Sequence, residues 1–179
     1  MTMPFAAFML MWVAMMVAMM LPSFVPTLVR NAAGLETAAL TATGYFATWA
    51  AFGAAIYAAE IALMAADMRW PGLARATPLL RGCVLIAAGL VQLSAWKARH
   101  LQCCREGPKD KLGIRFGSEC VLCCLPFMTV LVVLGMMSPP VIAGLAVAIT
   151  AERLVREPAP IVRVAGVLTI AIGVFTLVK

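Results

Sequence analysis

Long apolar runs, separated by short polar or proline-containing breaks, dominate this chain. A membrane-spanning helix needs roughly 20 predominantly apolar residues. We predict six spans, with approximate limits at residues 5–29, 37–66, 79–96, 120–137, 141–155 and 161–178. The pattern therefore predicts an all-α fold: a polytopic transmembrane helix bundle of about six spans, forming a single domain over residues 1–179.

Prolines and glycines refine this picture locally. Pro22 and Pro26 interrupt the first run, so a regular helix is expected over residues 5–21, followed by a kinked or re-entrant continuation. Small residues in the last spans suit close approach of helices. They are Gly144, Gly166 and Gly173.

One strongly polar stretch, residues 97–119, joins the third and fourth spans. Gly107 and Pro108 supply its turn. We predict a helical hairpin between spans 3 and 4, with this stretch as its tip.

Composition excludes several function classes. The chain is 64% hydrophobic and 12% charged, whereas soluble domains are about 45–50% apolar. Its basic residues lie between apolar segments, where they orient spans in the lipid bilayer, so nucleic-acid binding is not expected. We see no phosphate-binding glycine loop, zinc-protease helix or nucleophile triad, and therefore predict no enzyme activity.

The distribution of basic residues predicts an orientation. In a six-span arrangement most of the 14 Lys and Arg residues lie on one side: Arg30, residues 97–115 and residues 153–163. Cytoplasmic loops are enriched in Lys and Arg. The hairpin is therefore predicted to be cytoplasmic, with both chain ends on the opposite face.

The hairpin carries the most distinctive chemistry, because five of the six cysteines flank it together with the single histidine. The candidate metal ligands are His100, Cys103, Cys104, Cys120, Cys123 and Cys124. Helix positions four apart share a face, so His100 with Cys104 is expected to oppose Cys120 with Cys124. One imidazole and several thiolates suit Cu(I), or Zn(II) as the alternative. Cys103 and Cys123 are second choices.

Two other interpretations of the cysteines remain open. Membrane helices tolerate cysteine as a small apolar residue, and we assign the lone Cys83 to packing. A disulfide between the arms is the chemical rival, although a cytoplasmic location would disfavour it.

Methionine is the second unusual feature, since eight of the 13 lie within the first 20 residues. Met11, Met15 and Met19 recur every four residues, with Met16 and Met20 beside them. Thioethers favour Cu(I), but methionine also fills helix interfaces without metal. We treat Met15 and Met19 as accessory ligands along a route to the cysteines.

Glu152 is a carboxylate near an apolar segment, where such groups usually pair with a cation. We expect it close to the base of the hairpin, paired with a Lys or Arg there.

Several short motifs together resemble a bacterial family of unknown function described as predicted metal-binding integral membrane proteins. They are Met11-Trp12 to Met15-Met16 and Met19-Met20-Leu21-Pro22, Gly44-Tyr45 with Trp49 and Phe52, Gln92-Leu93 with Lys97, Cys104-Arg105, Cys120 with Cys123-Cys124, and Glu152. The resemblance covers residues 11–178. Two departures stand out: members often have an additional N-terminal span, and they commonly carry cysteine where this chain has His100.

These observations lead to two hypotheses. The first is a metal-binding integral membrane protein of the bacterial inner (cytoplasmic) membrane that handles copper, with the metal ion and the bilayer as its partners. The second is a non-catalytic accessory subunit of a larger membrane complex, in which any bound metal has only a structural role and holds the two arms of the hairpin together.

Overall fold

The structure is a computed structural model that describes residues 3–31, 34–108, 112–135 and 138–178, without the side chains of residues 71–75. The described residues form helices and no strand, which confirms the all-α prediction. The helices are α1 (Phe5–Asn31), α2 (Leu35–Arg69), α3 (Pro71–Gln92), α4 (Ala95–Glu106), α5 (Ile114–Leu134), α6 (Pro139–Leu154) and α7 (Ala159–Val178).

The predicted number of six spans differs from what the helices support. Four helices in the described ranges, α1, α2, α5 and α7, are long and apolar enough to cross a membrane. A fifth candidate is the pair α3 and α4, which is bent by 61° at its break. The fifth predicted span fails on length, because α6 has only 16 residues.

The predicted third span, residues 79–96, is wrong at both ends, because α3 begins at Pro71 and ends at Gln92. Ser94 explains the break. Its backbone is extended and its side chain accepts a hydrogen bond from the Lys97 amide, so it caps a new helix, α4.

The helix predicted to be regular only to residue 21 is longer than expected, because α1 continues through Pro22 and Pro26 to Asn31. Proline removes a backbone hydrogen bond from a helix. Polar side chains bond to carbonyls in the same stretch: Ser23 to that of Met20, Thr27 to that of Ser23, and Asn31 to that of Thr27. These three carbonyls are not those of Ala18 and Pro22, which lie four residues before the two prolines and lose their helical donor.

Helices α3 and α7 pack closely and antiparallel through paired glycines. A Cβ on Gly89 would lie 2.9 Å from the carbonyl oxygen of Gly166, and one on Gly82 would lie 3.0 Å from that of Gly173. The predicted close approach at Gly166 and Gly173 is therefore confirmed. It is wrong for Gly144, where a Cβ would meet no atom within 4 Å beyond its own stretch of helix among the described residues.

The ends of five helices meet at one end of the bundle, which we call the hairpin end. Gly107, at φ +97°, packs against Asn31 of α1, and Gly44 of α2 packs against the Leu112 carbonyl just before α5. The Arg105 guanidinium of α4 donates to the carbonyls of Glu152 and Val155 at 2.8 and 2.7 Å, which joins α4 to the end of α6. The rest of the predicted turn, residues 109–111, lies outside the described residues.

An aromatic core fixes α1 against α2. The Trp12 indole N–H donates to the Trp49 carbonyl at 3.0 Å, and the rings of Phe24 and Tyr45 stack with centroids 4.4 Å apart. This packing holds the Tyr45 hydroxyl toward α5, where the cysteines lie.

Candidate metal centre

Four thiols meet where α4 packs on α5. Cys104 comes from α4, whereas the other three, Cys120, Cys123 and Cys124, share one face of α5 because they are three and four residues apart. We call these four side chains the thiol cluster. Each is at most 1% exposed. All six cysteines are free, so the rival disulfide between the hairpin arms is not formed.

The four thiols form a closed set of contacts. Cys104 neighbours Cys120 and Cys123, and both of these also neighbour Cys124. Each sulfur therefore has two sulfur neighbours, and the donors are the soft type that Cu(I) favours.

The cluster is not a finished coordination sphere. Within the described ranges, no three His, Cys, Asp or Glu side chains are arranged as ligands around one ion. The thiols instead contact each other and a cation beside them. Binding a metal would require their rotation, which a single side-chain torsion per cysteine provides.

That cation is Arg153, which lies near the end of α6 and is only 7% exposed. Its guanidinium donates to the Cys120 sulfur, to the Cys124 sulfur at 3.7 Å, and to the Ser23 hydroxyl at 3.3 Å. Its Nε–H is buried and has no hydrogen-bond partner in the part of the chain that the structure describes.

Two residues of α1 and α2 complete the surroundings of Cys120. The Tyr45 hydroxyl lies 2.9 Å from the Cys120 sulfur. Ser23, which accepts from Arg153, donates to the Met20 carbonyl at 3.1 Å. The methionine-rich helix is thereby connected to the cluster through one arginine.

A buried ion pair supports the other side of the cluster. Lys97 of α4 lies 2.9 Å from the Glu152 carboxylate and donates to the Cys123 carbonyl at 2.7 Å. Gln92 also donates to Glu152, and the Lys97 ammonium stands 4.7 Å from the Phe127 ring centroid. The expected pairing of Glu152 with a hairpin cation is confirmed.

His100 and Cys103 lie elsewhere on α4. The His100 Nδ1 atom is 2.5 Å from a Glu119 oxygen, and its ring stacks edgewise on Trp96. Cys103 is partly exposed. The structure thus brings together Cys104, Cys120 and Cys124 of the leading predicted set, and adds Cys123 in place of His100. Cys83 is exposed on α3, outside the cluster.

The predicted methionine stripe is buried. Met16, Met19 and Met20 are each at most 1% exposed, and Met15 is 9% exposed. They belong to the same core of buried residues as the four clustered cysteines. The soft side chains predicted from two distant segments therefore share one interior.

Sequence reasoning missed Arg153 as part of the site and counted it only as an orienting charge. The available signal was its position next to Glu152 within an apolar run, since charges inside membrane segments usually have a partner. No signal marked Ser23, because only packing of α1 against α6 brings it to the guanidinium.

Residues 9–176 match the family described as PpoB2: Copper chaperone. No curated protein matches the chain, and no solved structure does.

Proposed function

The chain belongs to the PpoB2 copper chaperone family, and from that premise we propose that it is an integral membrane protein that binds Cu(I) at the thiol cluster and hands it on. The observation that carries the proposal is the meeting of four buried, free thiols, from two helices, beside a buried guanidinium.

The donor types support Cu(I) as the cargo. Thiolate and thioether ligands select Cu(I), whereas Mg²⁺ and Ca²⁺ require oxygen ligands. Glu152, a buried carboxylate on the Lys97 side of the cluster, is already paired with Lys97. Zn(II) also accepts thiolates, so it is the competitor to test directly.

The apolar surface supports the membrane location. Leu168 and Phe175 on α7 are 58% and 66% exposed, and the most apolar stretch of α2 is only 11% buried within the bundle. Continuous apolar faces of this kind are disfavoured in water and favoured in lipid. We place the protein in a bacterial inner membrane, with the hairpin end in the cytoplasm.

The methionines provide an accessory route in this proposal. Met15 and Met19 lie on α1 in the same buried core as the cysteines, and thioethers bind Cu(I) without adding charge. Replacing both with leucine should change the rate of copper uptake more than the final occupancy.

The decisive experiment is metal binding by detergent-purified protein. It is purified anaerobically under reducing conditions without chelators, analysed for bound metals, and titrated with Cu(I) and Zn(II) against chelators of known affinity. We expect one Cu(I) site that is lost when all four cluster cysteines become serine. The matched control is Cys83→Ser, which should bind as wild type because Cys83 lies outside the cluster.

Two outcomes would overturn the proposal. One is a wild-type protein that binds no Cu(I). The other is full Cu(I) binding by the variant that lacks the four cysteines. Recovery of a metal-free multisubunit assembly would instead favour the accessory-subunit hypothesis.

A further inference from the structure

Arg153 is a buried charge without a carboxylate partner. The other two buried charged side chains in the described ranges, Lys97 and Glu152, pair with each other at 2.9 Å. Arg153 bonds only to neutral or thiol groups: Ser23, Cys120 and Cys124. Arginine keeps its proton in proteins, so its charge is permanent.

A buried charge is strongly unfavourable unless an opposite charge compensates it. Because Lys97 and Glu152 cancel, the interior around the cluster carries one excess positive charge from Arg153. Its loaded state is therefore most stable when the metal and its thiolates together carry one negative charge.

We propose that Arg153 is the counter-ion of the bound copper and limits it to two thiolates, Cys120 and Cys124. The inference rests on the proposed function. One Cu(I) with two thiolates carries a net charge of minus one, which the guanidinium balances. These two cysteines are chosen because the same guanidinium nitrogen donates to both sulfurs.

The remaining thiols then have a different role. A third thiolate would leave the interior negative, so in this proposal Cys104 and Cys123, which receive no described hydrogen bond from the guanidinium, remain neutral thiols beside the two ligands. Zn(II) would need three thiolates for the same balance. If the charge of Arg153 selects Cu(I), only two cysteines are essential for binding. If any metal simply binds to the available thiols, all four cysteines contribute alike.

The first test varies the charge at residue 153. Cu(I) affinity is measured by competition for wild type, Arg153→Gln and Arg153→Lys in detergent, with folding checked by thermal unfolding. We expect Arg153→Gln to lose at least about tenfold in affinity, as for other residues that support metal ligands. Arg153→Lys, which keeps the charge, should recover most of that loss. Arg99→Gln, an exposed cation on α4, is the matched control.

The second test counts thiolates with single serine substitutions. Cys120→Ser and Cys124→Ser should each weaken Cu(I) binding about tenfold more than Cys104→Ser or Cys123→Ser does. This series decides the question even if Arg153→Gln does not fold.

The inference is wrong if all four serine variants lose equal affinity, if folded Arg153→Gln binds like wild type, or if Arg153→Lys loses as much as Arg153→Gln. Each of these results leaves Cu(I) binding by the cluster intact. The proposed function fails separately, when wild type binds no Cu(I).

Discussion

The ion pair between Lys97 and Glu152 gives the sharpest stability prediction. Both side chains are almost fully buried, at 1% and 2% exposure, with 2.9 Å between the ammonium and the carboxylate. Lys97→Met removes the ammonium of this pair. Among the described contacts, the Glu152 carboxylate then keeps only the hydrogen bond from the Gln92 side-chain amide.

The expected cost follows from that burial. Removing one member of a buried pair destabilises a protein by about 3–5 kcal/mol, because the other charge stays buried. At about 1.4 kcal/mol per tenfold change, this is roughly two to three and a half orders of magnitude in the unfolding equilibrium. Solvent screening does not reduce it here, since neither side chain reaches water.

The measurement is reversible denaturant unfolding of detergent-solubilised protein. Adding Glu152→Gln to Lys97→Met should recover about 1–3 kcal/mol, because the double variant has no unpaired charge and residues in contact couple by this amount. Arg99→Met is the matched control, since Arg99 is exposed on the same helix. A cost below about 1 kcal/mol for Lys97→Met, the value typical of a surface pair, would refute the reasoning.

Two further predictions concern packing and orientation. Gly89→Ala should destabilise the protein by about 1–3 kcal/mol, because the new Cβ would lie 2.5 Å from an Ile170 side-chain atom. Gly144→Ala is the control and should not destabilise it, because the new Cβ would meet open space. Equal unfolding midpoints for the two variants would contradict this prediction. A cysteine introduced at Leu112, in a background lacking the exposed Cys83 and the partly exposed Cys103, should resist an impermeant thiol reagent in intact cells, because the hairpin end is predicted to be cytoplasmic. Labelling at residue 112 in intact cells would contradict the proposed orientation and place the hairpin end on the opposite side of the membrane.

Helix content was predictable because it depends on local pattern. Runs of apolar residues of membrane length located most of the helices to within a few residues, as for α2 and α7. One error arose where a polar side chain acts on the backbone, because Ser94 caps a new helix, α4. Another arose at Pro22 and Pro26, which α1 accommodates within one continuous helix.

The candidate site was predictable in part for the same reason. Spacing along α5 places Cys120, Cys123 and Cys124 on one face whatever the tertiary fold, and the turn at Gly107 returns Cys104 to them. The role of His100 as a ligand stays a prediction, because its ring pairs with Glu119 at the partly exposed rim in this structure.

The sequence by itself determined an all-helical, apolar chain with soft ligands gathered at one hairpin, since these features follow from residue type and helical spacing. Tertiary structure alone decided the electrostatics of the centre. Arg153 is 29 residues from Cys124 and 130 from Ser23, yet its guanidinium bonds to both. Such contacts depend on how α1, α5 and α6 pack, because a charge interacts across space with whatever the fold brings near it.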